Sequence, residues 1–132
     1  MILRILIADD DHHARAGLRA FLSTMVECEI VGEATNGAEI LVQAAHHHPH
    51  VVVLDLRMPE LDGIQATRML KAGWPDIAVV ALTLYHEQRE VALAAGADAF
   101  VAKGDAPARL IQALQTIQLR FAQDHQSQPP SA

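Results

Sequence analysis

The sequence predicts a three-layer α/β domain with a doubly wound, five-stranded parallel sheet, and three observations carry that prediction. Strand-length apolar runs recur five times, a helix-length stretch follows each, and runs such as Val51-Val52-Val53-Leu54 are apolar without alternation. A strand apolar at every position is covered on both faces, as a parallel strand is between its crossover helices. A sheet with one wet face would alternate.

The first run, Ile2 to Ala8, ends on Asp9-Asp10-Asp11 and defines a strand with an acidic carboxyl end. Leu18, Phe21, Leu22 and Met25 then recur at helical spacing. Glu29 to Ala34 forms the second strand, and Gly37 to about His46 the second helix, whose end is weakly marked because the following histidines carry little pattern. After the third strand, Val51 to Leu54, Asp62 with Gln65 three residues on caps a third helix that has Gly63 in its first turn and is closed by Gly73 and Pro75. Ile77 to Leu82 is the fourth strand, and Gly96 supplies the left-handed residue after the fourth helix. Ala97 to Val101 is the fifth strand. Asp105 is expected to cap the last helix, with Pro107 tolerated in its first turn, and Leu110, Ile111, Leu114, Ile117 and Phe121 mark its buried face. From Gln123 the composition turns to Gln, Ser, Pro and Asp, so residues 1–122 read as one domain and 123–132 as a tail or the start of a linker.

A chain of 132 residues buries one core. With 10 Lys and Arg against 16 Asp and Glu, a net charge of −6 and no run of three basic residues, it is not expected to bind nucleic acid directly. An aromatic content of 4% also leaves no stacking platform for bases. The single cysteine, Cys28, rules out an internal disulfide, makes a reducing compartment the simpler setting and reads as core filler. Met1 to Ala8 is too short to span a bilayer and runs directly into three aspartates, so the expectation is a cytoplasmic protein without membrane association.

Chemistry-capable residues fall at the strand ends. Asp9 and Asp10 end the first strand, Asp55 the third and Thr83 the fourth, while Lys103 lies just past the fifth. In a parallel sheet these positions share the carboxyl edge, where ligand crevices of open α/β sheets form. Three carboxylates in one crevice repel; one amine compensates a single charge, and the remaining excess calls for a hard divalent cation such as Mg²⁺. An aspartate held beside Mg²⁺ and a lysine is suited to attack phosphorus, giving an aspartyl phosphate. A lone Asp after a strand is commonly a turn former or helix cap, and Asp11 stays in that class; the weight lies on the combination.

The segments Ile5-Leu6-Ile7-Ala8-Asp9-Asp10, Leu54 to Gly63, Ala81-Leu82-Thr83 and Gly96 to Lys103 together resemble the receiver domain of bacterial two-component response regulators, most like those of the LuxR/NarL-type transcription regulators. The resemblance implies a flavodoxin-like (βα)5 fold with strand order 2-1-3-4-5. It implies that Asp55 is the phosphoacceptor, that Asp9, Asp10, Asp55 and the backbone carbonyl of Arg57 hold Mg²⁺, that Thr83 is the switch hydroxyl, that Lys103 pairs with the phosphoryl group and that Phe100 follows the switch. Pro59 and Gly63 resemble the turn beside the acceptor. The implied partners are a sensor histidine kinase and, if the chain is a fragment, a C-terminal helix-turn-helix DNA-binding domain; such a domain catalyses only its own phosphorylation and dephosphorylation. Gly104 departs from the proline that many receivers carry after the lysine. Arg57 and Tyr85, each two residues beyond a site residue, are expected at the rim, where bulk obstructs an attacking water. Leu114, Ile117 and Phe121 would support a homodimer if the last helix projects beyond the sheet.

Two other function classes compete. A phosphorylation-independent interaction module would not need the full set of Asp9, Asp10, Asp55, Thr83 and Lys103. A Mg²⁺-dependent phosphohydrolase of the haloacid dehalogenase type would want a second Asp two residues after the nucleophile, where this chain has Arg57. His46, His47, His48 and His50 are close enough in sequence to suggest a metal, yet they precede the third strand, at the opposite end of the sheet from the aspartates, and read as a surface loop.

Overall fold

The structure is a computed structural model that describes residues 1–127 apart from Val26, Pro59, Glu60, Tyr85 and Ala106. Five strands, β1 (Leu3–Ala8), β2 (Cys28–Ala34), β3 (Val51–Leu54), β4 (Ala78–Thr83) and β5 (Ala99–Ala102), alternate with five helices, α1 (His12–Leu22), α2 (Gly37–His47), α3 (Gly63–Gly73), α4 (Arg89–Ala94) and α5 (Ala108–Ser127). All strand pairs are parallel, in the order β2-β1-β3-β4-β5. The fold is the expected flavodoxin-like one.

Strand periodicity divides the core. Leu3, Ile5, Ile7, Val51, Val53, Ala78, Val80 and Leu82 pack with Leu22 of α1 and Leu110, Leu114 and Ile117 of α5. The intervening residues Leu6, Ala8, Val52, Leu54, Val79 and Ala81 pack with Ile40 and Ala44 of α2, Ala66 and Leu70 of α3 and Ala92 of α4. Every residue of β3 is buried. Burying such a side chain contributes about 1.5–3 kcal/mol, against about 0.5–1.5 kcal/mol net for a backbone hydrogen bond, so burial on two faces holds this four-residue strand more than its ladder does. One irregularity lies in β2: Ile5 pairs with Ile30 but Leu6 with Gly32.

Helix ends follow local chemistry where a cap is available. The Asp62 carboxylate accepts the Gln65 amide at 2.8 Å, as its spacing predicts. Asn36 accepts the Glu39 amide at 2.8 Å, and the Glu39 carboxylate reaches back to the Thr35 hydroxyl and amide at 2.8 and 3.0 Å. The Thr35 hydrogen bonds hold the Glu39 carboxyl below its usual pKa. Gly96 takes φ +110, as expected after α4.

One expectation needs correction. Asp105 does not cap α5: it belongs to a 3₁₀ turn, Lys103–Asp105, and it is the carbonyl of Pro107 that accepts the Ile111 amide at 3.0 Å, one residue before the helix opens at Ala108. At its other end α5 continues to Ser127, beyond the shift in composition at Gln123. None of residues 123–127 is Gly or Pro, so polarity alone does not stop the helix.

The weakly marked end of α2 is also explained. His48 adopts φ 47, uncommon for a residue other than Gly, and the guanidinium of Arg4 donates to the carbonyls of His47 and His48. Cys28 and Trp74 are partly buried against the two core layers. Among the described residues no helix is long and apolar enough to cross a membrane.

Candidate functional site

The carboxyl edge of the sheet assembles the site through backbone register. The Asp55 amide donates to the Ala8 carbonyl at 2.9 Å and the Asp9 amide to the Ala34 carbonyl at 3.1 Å, which sets both aspartates at the ends of neighbouring central strands. Asp9 is buried, Asp55 half-buried and Asp10 exposed, and one carboxylate oxygen from each lies within 4.8 Å of the others.

Lys103 closes the group. Its ammonium donates to Asp9 Oδ2 at 2.9 Å and to Asp55 Oδ2 at 3.0 Å, although the lysine lies 94 and 48 residues away in sequence. Partial burial pulls the lysine pKa down, but hydrogen bonds to Asp9 and Asp55, together with their charges, outweigh it and hold the amine above its ordinary value. The remaining oxygens are oriented by local turns: Asp9 Oδ1 accepts the Asp11 amide at 2.9 Å, and Asp55 Oδ1 accepts the Arg57 amide at 3.0 Å. These turns fix carboxylate direction without adding formal charge.

Thr83, fully buried, ends β4 in register with Ala102, the residue before Lys103. Phe100 is half-buried against the layer that includes α4. The Arg57 side chain is exposed beside the turn that follows Asp55. Tyr85 and Pro59 lie outside the described residues. His12 and His13 begin α1 as exposed rings 5.7 Å apart.

Some supports carry no motif in the sequence. Arg15 donates to the Asp9 carbonyl at 2.8 Å and pairs with Glu33 at 3.4 Å, tying α1 and β2 to the acidic turn. Gly63 is needed for close approach: its amide donates to the Leu56 carbonyl at 3.0 Å, and a Cβ there would lie 2.5 Å from the Asp55 carbonyl oxygen. Gly63→Ala is therefore expected to cost about 1–3 kcal/mol in urea unfolding, by overpacking against the Asp55–Leu56 backbone. Gly73→Ala, where a Cβ meets nothing within 4 Å, serves as the control and should leave the unfolding midpoint at or above that of the parent. Equal midpoints for the two variants would contradict this reading of the loop.

The donor set is entirely hard oxygen, with no thiolate or imidazole among the clustered ligands, and so is capable of holding a divalent cation. The four histidines form no comparable group: among the described residues the acidic triad is the one cluster with ligand atoms drawn together, and His50 Nδ1 accepts the Arg4 amide instead.

A parallel sheet with an acidic triad and a lysine on its carboxyl edge defines a phosphoacceptor module. Residues 5–115 match the response regulator receiver domain family, and the chain belongs to it. The chain is 43% identical over 115 residues, 86% of its length and 54% of the relative's, to an uncharacterized transcriptional regulatory protein, YhcZ, of Bacillus subtilis. It is 37% identical over 105 residues, 78% of its length and 50% of the relative's, to the response regulator protein VraR of Staphylococcus aureus. It thus spans about half the length of the curated relatives it matches. Among solved structures, a LuxR-family two-component response regulator from Aurantimonas sp. SI85-9A1 superposes with a TM-score of 0.84 at 29% identity, over 89% of this chain and 85% of the other. The isolated receiver domain of RcsB from Salmonella enterica, solved with the phosphomimetic BeF3-, gives 0.83 at 26% identity over 89% of each chain. This chain is a receiver domain closely related to those of LuxR/NarL-type regulators.

Proposed function

We propose that Asp55 takes a phosphoryl group from a sensor histidine kinase, with Mg²⁺ as cofactor, and that the resulting charge controls an attached or partner output in transcription. The observation that supports this most directly is the Lys103 ammonium shared between Asp9 and Asp55, with Asp10 completing the acidic cluster. Asp9, Asp10, Asp55 and the backbone carbonyl of Arg57 would hold the metal, which when bound neutralises charge on the transferring group. An oxygen of Asp55 forms the new P–O bond as the P–N bond to the kinase imidazole breaks, the electron pair leaving on nitrogen. Lys103 then follows the new charge and pairs with a phosphoryl oxygen.

Thr83 acts as the switch. Its hydroxyl gains a charge-assisted hydrogen bond by turning toward the aspartyl phosphate, and the space it leaves is filled by the Phe100 ring, which repacks the surface formed by α4, β5 and α5. Arg57, exposed beside the turn after Asp55, and Tyr85, two residues after Thr83 in sequence, are expected to slow hydrolysis by obstructing water. Residues 1–122 are read as the receiver and 123–132 as a tail or the start of a linker, which in a longer protein would join a C-terminal helix-turn-helix DNA-binding domain; a homodimer is a further partner state, and with Leu114 and Ile117 packed in the core the buried face of α5 is not available to it. The receiver itself does not contact nucleic acid, and the setting is cytoplasmic.

Incubation with acetyl phosphate and Mg²⁺ tests the reading. Intact mass is expected to rise by one hydroxylamine-labile phosphoryl group, and chelation should prevent the rise. No adduct under conditions that label another receiver would favour the phosphorylation-independent interaction module. Thr83→Ala is expected to accept phosphate while its Phe100 ring, followed by NMR, keeps the unphosphorylated chemical shift; a ring shift equal to that of the parent would remove Thr83 from the switch.

A further inference from the structure

At the opposite end of the sheet from the carboxylates, one imidazole bridges the sheet and α5. His50 immediately precedes β3; its amide donates to the Arg4 carbonyl at 2.9 Å, and its carbonyl accepts the Ala78 amide at 2.9 Å. Its Nδ1 accepts the Arg4 amide at 2.9 Å, across 46 residues. The ring lies 5.0 Å, centroid to centroid, from Phe121 of α5, tilted by 57°. Arg120 covers that phenyl ring at 5.8 Å and pairs with Asp98 at 3.2 Å.

We propose that His50 is a proton-operated latch for the distal half of α5, seating Phe121 while the ring is neutral and releasing it when the ring is protonated. An Nδ1 that accepts a backbone N–H must be unprotonated; a proton there sets two donors against each other. It also places a second positive charge beside Arg4, whose guanidinium is committed to the end of α2.

Among the described residues, the surroundings offer the charged ring no ion-pair partner. On β1 the neighbour is Arg4, whose partner in the β1–β2 register is Glu29; at the end of α2 stand His47 and His48; Asp76 sits exposed in the turn before β4; and α5 contributes Arg120. Among the described residues no carboxylate forms an ion pair with His50. Burial first, and the Arg4 charge second, lower its pKa. The sign follows: the contribution of neutral His50 is complete above the ordinary imidazole pKa and is lost as pH falls toward the lowered value. This latch is independent of phosphoryl chemistry and stands or falls separately from it.

The test pairs NMR titration of the His50 ring with native-state hydrogen exchange at residues 117–123 of the whole chain, corrected for intrinsic exchange rates. Protection is expected to begin falling near the ordinary imidazole range, by about tenfold per pH unit, and to level off at the ring's own midpoint, so that the total loss matches the displacement of the ring's pKa. His50→Asn keeps an acceptor for the Arg4 amide and removes the proton, and its α5 protection should be flat over the same range. Protection that stays constant in the parent while His50 titrates would overturn the proposal, as would an identical loss in the Asn variant. The parent measurement decides even if the variant does not fold.

Discussion

Asp55→Asn is expected to abolish labelling by acetyl phosphate while leaving the domain folded. The amide keeps nearly the same volume, and its oxygen can still accept the Arg57 amide or the Lys103 ammonium. It cannot supply the anionic oxygen that attacks phosphorus. Removing one of three mutually repelling carboxylates also relieves the site, so thermal stability should equal or exceed that of the parent. Intact mass under parent labelling conditions gives the answer directly; a variant that takes up a full phosphoryl equivalent would show that another residue is the acceptor.

Lys103→Ala is expected to slow labelling roughly 10²–10³-fold, the scale of losing one preorganised contact to charge developing in the transition state. The ammonium is the one cation bridging Asp9 and Asp55 among the described ion pairs, so its loss also leaves two carboxylates uncompensated beside Asp10. Lys103→Arg should restore little, because a planar fork does not reproduce a point charge held between two oxygens at 2.9 and 3.0 Å. The time course of adduct formation at fixed acetyl phosphate and Mg²⁺ measures both. An alanine variant labelled at the parental rate would exclude Lys103 from the chemistry.

Much of this architecture was legible because the signals are local. Strand-length, largely apolar runs located each strand to within about two residues at either end, and the strand ends then brought Asp9, Asp10 and Asp55 to one edge. The Asp62 cap and the positive φ of Gly96 were equally readable, since each depends on residues a few positions apart. What escaped was non-local. The end of α2 is set by Arg4, more than forty residues earlier. The closeness of Gly63 to the Asp55 carbonyl and the hold of Arg15 on Asp9 require the fold before they can be seen. Asp105 misled for a different reason: a good capping residue near a helix start says nothing about an intervening 3₁₀ turn.

Locating the phosphoryl group tests the account at its centre. After reaction with acetyl phosphate and Mg²⁺, borohydride reduction of the acyl phosphate followed by peptide sequencing by mass spectrometry is expected to mark Asp55 alone. A mark on Asp9, Asp10 or a histidine, with Asp55 unmodified, would contradict it.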